Sequence, residues 1–324
     1  MKSPSCSCSV SVLKARQKTP SGVSLQRSCP VMLTNYRTLC PRLMAGAVLL
    51  CLPMVSLTAW TAERIVVADG ALTEIVYALG AGERIVGVDT TSGYPAQTQA
   101  LPNIGYLRAL SAEGVLSLNP TLLLTTNEAG PPAVLQQLRG AGLRIEQLEA
   151  PYSLTGTLEL IEEVGALLGR TSEAQALSNE LADNVSQQLG QVEEDLRVMF
   201  LLHAGGQGVM ASGTHTRADA LLTMVGVKNV NDGFEGFRPL TSEGVLQGDP
   251  DVILAFHVQG NTRDLYNHPA LRLTRAAREG RIHVLDKPQW LQFGPRLDET
   301  LNELTHLLNT PERPHMAAGR ASPP

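Results

Sequence analysis

Leu110–Leu124 reads LSAEGVLSLNPTLLL, and Leu240–Leu254 reads LTSEGVLQGDPDVIL. At an offset of 130 the two segments agree at seven of fifteen positions: Leu, Glu, Gly, Val, Leu, Pro and Leu. Each reads as a short helix behind a hydroxyl residue, a turn at Pro120 or Pro250, and a buried strand. A Ser or Thr ahead of a helix accepts from the free N–H groups of the first turn, and proline cannot continue the helix behind it. Arg108 and Arg238 fall in the same register just upstream. One α/β unit written twice predicts two similar lobes, the alternative being chance similarity of two helix–proline–strand units.

Working outward, the same alternation recurs on both sides. RIVVAD (Arg64–Asp69), RIVGVD (Arg84–Asp89), TLLLT (Thr121–Thr125) and Arg144–Leu148 are strand candidates, with helices at Leu72–Leu79, Ser111–Leu118 and after Pro132. After the break, RVMFLL (Arg197–Leu202), VILAF (Val252–Phe256) and RIHVL (Arg281–Leu285) alternate with helices at Arg217–Val225, Leu271–Glu279 and Pro295–Leu308. Short β-branched runs separated by helical patterns predict parallel sheets. Residues 154–196 break the rhythm: apolar positions keep helical spacing with no proline and no strand candidate, predicting one long helix from Ser172 to Asp195 behind a shorter one. The expected organisation is a first lobe over 63–170, a linking helix over 171–196, a second lobe over 197–310 and an unstructured Pro/Ala/Gly-rich tail over 311–324.

Residues 1–62 have another composition. They hold seven basic side chains (Lys2, Lys14, Arg16, Lys18, Arg27, Arg37, Arg42), no acidic one, and all five cysteines. Leu43–Trp60 (LMAGAVLLCLPMVSLTAW) follows as an apolar run, so the piece reads as a secretory leader, with a membrane anchor the alternative. Subtraction leaves 19 basic against 31 acidic residues in 63–324, a body near −12 without cysteine. That balance argues against nucleic acid, and the missing thiols exclude a cysteine zinc site, a thiol nucleophile and a disulfide framework. No GxSxG elbow, HExxH pair or P-loop is present in the body, so an enzyme is not expected.

Two α/β lobes joined by one long helix behind a leader resemble the substrate-binding proteins of ABC importers for haem, siderophores and cobalamin. ALTEIVYALGAGERIVGVDTTSGYP (Ala71–Pro95), LPNIGYLRALSAEGVLSLNPTLLL (Leu101–Leu124) and ASGTHTRADALLTMVG (Ala211–Gly226) are similar to the haem-binding branch. The resemblance implies Rossmann-like lobes of the class III periplasmic binding protein type, periplasmic location, and delivery of ferric haem to an inner-membrane permease and its ATPase. It implies a monomer, with a dimer as the alternative, and little hinge motion, since one helix resists bending. Within the same fold a siderophore or cobalamin binder is the alternative, as is a haem scavenger without a permease.

The chemistry concentrates in Gly105-Tyr106-Leu107-Arg108. A phenolate is a hard anionic donor that suits ferric iron. Tyrosine ordinarily titrates near 10, so ligation needs the metal and a nearby cation to displace the proton. The resemblance makes Tyr106 the axial ligand and Arg108 its support, against a packing aromatic at the mouth of the cleft. For a second ligand His203, in FLLHAGGQG, stands ahead of His215, and ligation by Tyr106 alone is also open. Arg238 in GFRPLTSEG is the candidate for a propionate, or an ordinary surface arginine; Gly205–Gly213 reads as a loop of backbone donors. Glu113 and Glu243 match the family's one docking glutamate per lobe, and each also favours the start of its own helix. His257, His268, His283 and His306 show no ligand spacing, which disfavours a zinc or manganese importer.

Overall fold

The computed structural model describes residues 63–310 apart from 188–191, 193–194, 206–207 and 259–261. The leader read over 1–62 and the tail read over 311–324 lie outside the described residues. The first lobe contains β1 (Ile65–Ala68), α1 (Gly70–Ala78), β2 (Ile85–Val88), α2 (Ala112–Leu116), β3 (Leu122–Thr126), α3 (Pro132–Gly140) and β4 (Arg144–Leu148). Its strands form a parallel sheet of order β2-β1-β3-β4. All four residues of β1 are buried, as expected of a parallel strand covered on both faces.

Helices α4 (Leu154–Leu168) and α5 (Thr171–Ser186) lead out of this lobe. Gly169 in the left-handed region ends α4, and α5 turns back against it. A Cβ on Gly165 would lie 2.3 Å from that of Ala174, so only glycine allows this approach. The connection is two packed helices of 15 and 16 residues, the shorter-then-longer order read from the sequence; of the span predicted to Asp195, residues 188–191 and 193–194 lie outside the described residues.

The second lobe runs through β5 (Arg197–Gly205), β6 (Gly208–Ser212), α6 (Arg217–Met224), β7 (Lys228–Asn229), β8 (Phe237–Leu240), α7 (Ser242–Gly248), β9 (Val252–Val258), α8 (Thr262–Asn267), α9 (Arg275–Glu279), β10 (Ile282–Val284) and α10 (Leu297–Asn309). β10, β9, β5 and β7 are parallel, while β6 and β8 join antiparallel at one edge. Within the stretch read as a donor loop, 205–213, Gly208–Ser212 is β6, paired with β5 on one side and β8 on the other. β8 carries Pro239, tolerable because β8 ends the sheet.

The duplicated unit folds alike twice. Ser111 Oγ accepts from Gly114 N–H, and Thr241 Oγ1 accepts from Gly244 N–H. Val115 and Val245 are both fully buried. Asn119 (φ 48°) and Asp249 (φ 38°), again 130 apart, take the left-handed turn ahead of the proline. Asn and Asp are the side chains that accept this conformation at least cost.

Among the described residues the apolar side chains gather in three clusters, and the largest belongs to both lobes. It runs from Ile65, Val67 and Leu72 through Ile161 and Leu181 to Trp290, Phe293 and Leu297, and on to Val198, Phe200 and Leu222. The others line the outer faces, one under α2 and α3 and one against β9, α8 and α9. A common core implies common melting. Leu297→Ala is expected to cost about 3 kcal/mol and to lower one cooperative transition seen alike in both lobes. Two separate calorimetric transitions would contradict the shared core.

Candidate functional site

The carboxyl ends of the first lobe's strands deliver its polar residues to one edge, the usual place for a ligand in a parallel sheet. Asp69 follows β1, Tyr106 lies on the long connection after β2, Glu128 follows β3 and Tyr152 follows β4. The second lobe answers from α6: Arg217 brings Nη2 to 3.3 Å from Glu128 and 3.9 Å from Asp69. Its Nη1 donates to the Leu291 carbonyl at 3.0 Å, and the guanidinium lies 5.8 Å from the Tyr152 ring centre.

The Tyr106 loop is held by its backbone. Gly105 takes φ 92°, a value glycine supplies without strain, and donates to Asn103 Oδ1 at 2.8 Å. The Gly105 carbonyl accepts from Thr90, and the Leu107 carbonyl accepts from Gly130. Ile104 and Leu107 are buried on either side, so Tyr106 between them turns outward, the residue 45% exposed. Among the described residues the Tyr106 hydroxyl has no hydrogen-bond partner. Arg108 is close enough for Tyr106 and Tyr152 to act on its charge, and its Nη2 donates to Glu128 Oε2 at 2.7 Å.

Glu128 is the hub. Its Oε1 accepts from the Tyr152 hydroxyl at 2.7 Å, while Oε2 faces both arginines. Burial pushes its carboxyl up, but the charge of Arg217 and the hydrogen bonds from Arg108 and Tyr152 hold it below the usual range. Burial and the Glu128 charge push the Tyr152 phenol up. Asp69 caps α1 by accepting from Ala71 and Leu72, yet its burial outweighs Arg217 and raises its carboxyl.

Further contacts knit the same junction. Gln292 Nε2 donates to the Thr91 carbonyl at 2.8 Å, and Arg296 Nε donates to Glu74 Oε2 at 2.9 Å while stacking 3.8 Å over Tyr94. A Cβ on Gly70 would lie 2.6 Å from the Thr91 carbonyl oxygen, a backbone atom that cannot give way cheaply, so this approach favours glycine.

The sequence candidates are only partly gathered. Tyr106 and Arg108 share the site. His203 lies half-buried on β5, opposite His257 of β9 and Met210 of β6, with no hydrogen bond or ion pair to Tyr106 or Arg108 among the described residues. Arg238 is exposed on β8, 5.2 Å over the Phe234 ring. His215, at φ 57°, is exposed and 3.5 Å from Glu235. Glu113 and Glu243 are exposed at equivalent positions of α2 and α7. The sequence reading missed Asp69, Glu128, Tyr152 and Arg217; the first three carried a usable signal, each standing just past a strand. Among the described residues no group of three His, Cys, Asp or Glu could hold a bare metal ion.

The sequence matches the periplasmic binding proteins over residues 65–289. The chain belongs to that family. Among solved structures this periplasmic binding protein is similar to the periplasmic heme-binding protein RhuT from Roseiflexus sp. RS-1: 36% identity, a TM-score of 0.72, and coverage of 76% of this chain and 98% of that one. Among curated proteins it is 24% identical to the uncharacterized ABC transporter substrate-binding lipoprotein YvrC of Bacillus subtilis, covering 72% of this chain and 75% of YvrC. The vitamin B12-binding protein of Yersinia pseudotuberculosis is 23% identical over 66% of this chain and 76% of its own length. The periplasmic binding protein fold of two α/β lobes is the one observed here.

Asp69 supplies a pH test. A carboxyl raised above its ordinary 3.8 contributes stability that is complete below 3.8 and is lost as pH rises through the folded value. Asn caps a helix equally well and carries no charge to bury. Asp69→Asn should therefore gain on the wild type in urea unfolding between pH 4 and pH 7. A difference independent of pH would show that Asp69 is not raised.

Proposed function

We propose that this protein captures ferric haem between its lobes in the periplasm and hands it to an inner-membrane ABC importer. The observation that carries the reading is the outward phenol of Tyr106, without a hydrogen-bond partner among the described residues and held by its loop beside Arg108. The 36% identity to a heme-binding periplasmic protein supports the same ligand. Haem supplies the iron, so the protein needs one anionic donor and no cluster of metal ligands. Tyr106 is assigned to that iron, and Arg108 stabilises the phenolate formed when the metal displaces the proton. Arg238 is assigned to a propionate, and His203 is the candidate for the opposite face of the iron.

Glu113 and Glu243 are assigned to docking. The duplicated unit places one exposed carboxylate on each lobe, in the same setting, where a permease with two facing basic surfaces would engage both. Export rests on the leader read over 1–62.

Titration of the mature protein with ferric haem should give a saturable Soret shift at one equivalent. Tyr106→Ala should weaken binding by about a hundredfold, on the scale of losing one charged anchor. Undiminished binding in that variant removes Tyr106 as the ligand, and an unchanged spectrum in His203→Ala removes the histidine. Charge reversal at both Glu113 and Glu243 is expected to abolish uptake by whole cells while leaving haem affinity within about twofold, because exposed charges away from the ligand add little to it. A parallel loss of affinity would place these glutamates in the binding site instead.

A further inference from the structure

We propose that Glu128 is a resident counter-anion that competes with the carboxylates of the ligand for Arg108 and Arg217, and so sets how tightly an anionic tetrapyrrole is held. This rests on the haem reading above and adds a residue to it. The geometry is a single carboxylate shared by guanidinium groups from opposite lobes, at 2.7 Å and 3.3 Å. Its second oxygen is fixed by the Tyr152 hydroxyl at 2.7 Å, so it cannot swing clear without losing that bond. The Glu128 side chain is only 15% exposed, whereas Arg108 is 55% exposed and open to an incoming molecule.

Donors outnumber acceptors at this junction. A guanidinium offers five N–H groups in a fixed fork. Arg217 Nε is buried with no partner, and among the described residues Arg108 uses only Nη2. Arg108, 55% exposed, can therefore take a further carboxylate directly, whereas Arg217, 16% exposed with both Nη groups engaged, is reached only as Glu128 gives way; Glu128 already neutralises part of the charge of both. A propionate that reaches this junction, the other being left to Arg238, shares the arginines with Glu128 or displaces it. Coulomb interaction at these separations in a partly buried site is strong enough to change affinity severalfold. Such a competitor also eases release, because Glu128 is ready to re-form its bonds as the ligand leaves.

The test compares ferric haem with its dimethyl ester, which keeps the iron and loses both carboxylates. Dissociation constants are measured by absorbance titration for the wild type, Glu128→Gln and Glu128→Asp. Glu128→Gln should bind haem about tenfold more tightly and change its affinity for the ester by less than about twofold. Glu128→Asp keeps the charge but is one methylene too short to span both arginines, so a gain of about threefold for haem alone is expected. The aspartate variant decides the question by itself should the glutamine variant fail to fold. Haem affinity at or below the wild-type value, or an equal gain for both porphyrins, overturns the proposal. Wild-type protein that binds neither porphyrin overturns the haem reading and this one with it. Wild-type binding with loss in Tyr106→Ala, but no gain at position 128, overturns this one alone.

Discussion

Arg217 reaches from α6 of one lobe to Asp69 and Glu128 of the other, and the polar junction is organised around that reach. The guanidinium enters with its stem on a helix anchored in the common core and one donor fixed on the Leu291 carbonyl. Its position is set before any ligand arrives. Glu128 then collects Arg108 and Tyr152 around the same charge, and Tyr106 stands beside that group with its loop held by backbone bonds. A buried pair of this kind is weak evidence for stability, because desolvation offsets most of the attraction. Its value lies in placement: both charges and the tyrosine occupy fixed positions at an edge where two sheets meet.

The apolar core opposes a wide opening of that edge. One continuous cluster passes from β1 through α1, α4 and α5 to α10 and into β5. Swinging one lobe away from the other would expose Phe293, Leu297 and Trp290 to water, at roughly 1.5–3 kcal/mol for each large side chain. Arg296 on Glu74 and Gln292 on Thr91 add polar bonds along the same seam. A junction built this way favours a site shaped in advance over one assembled by large hinge closure.

The sequence made the architecture legible because the fold is repeated and its local rules are short-range. Ser111 and Thr241 cap their helices, Asn119 and Asp249 take the same left-handed turn, and Val115 and Val245 fill the same place. Each feature depends on residues within a few positions, so composition and spacing announce it. The edge strands were not legible. β6 is five residues long (GVMAS) and β8 contains a proline, so both lack the β-branched run that marks a strand. The linking segment begins where the spacing puts it, and α5 is described as far as Ser186; most of the remainder of the predicted helix lies outside the described residues.

The candidate site divides along the same physical line. Tyr106 and Arg108 are two residues apart, and their loop brings them together without help from the rest of the chain. Glu128 and Arg217 are 89 positions apart and meet only because two lobes fold onto one core, so no local pattern could join them. The body's excess of acid, near −12, sharpens the point. An anionic ligand approaching such a surface is repelled on average, and only a local concentration of arginine can reverse that. Two lobes can supply one each, and a carboxylate between them keeps the pair from repelling one another while the site waits. On the proposed haem reading, firm binding of an anion and its release to a transporter are opposed demands, and a counter-charge built into the junction is a direct way to meet both.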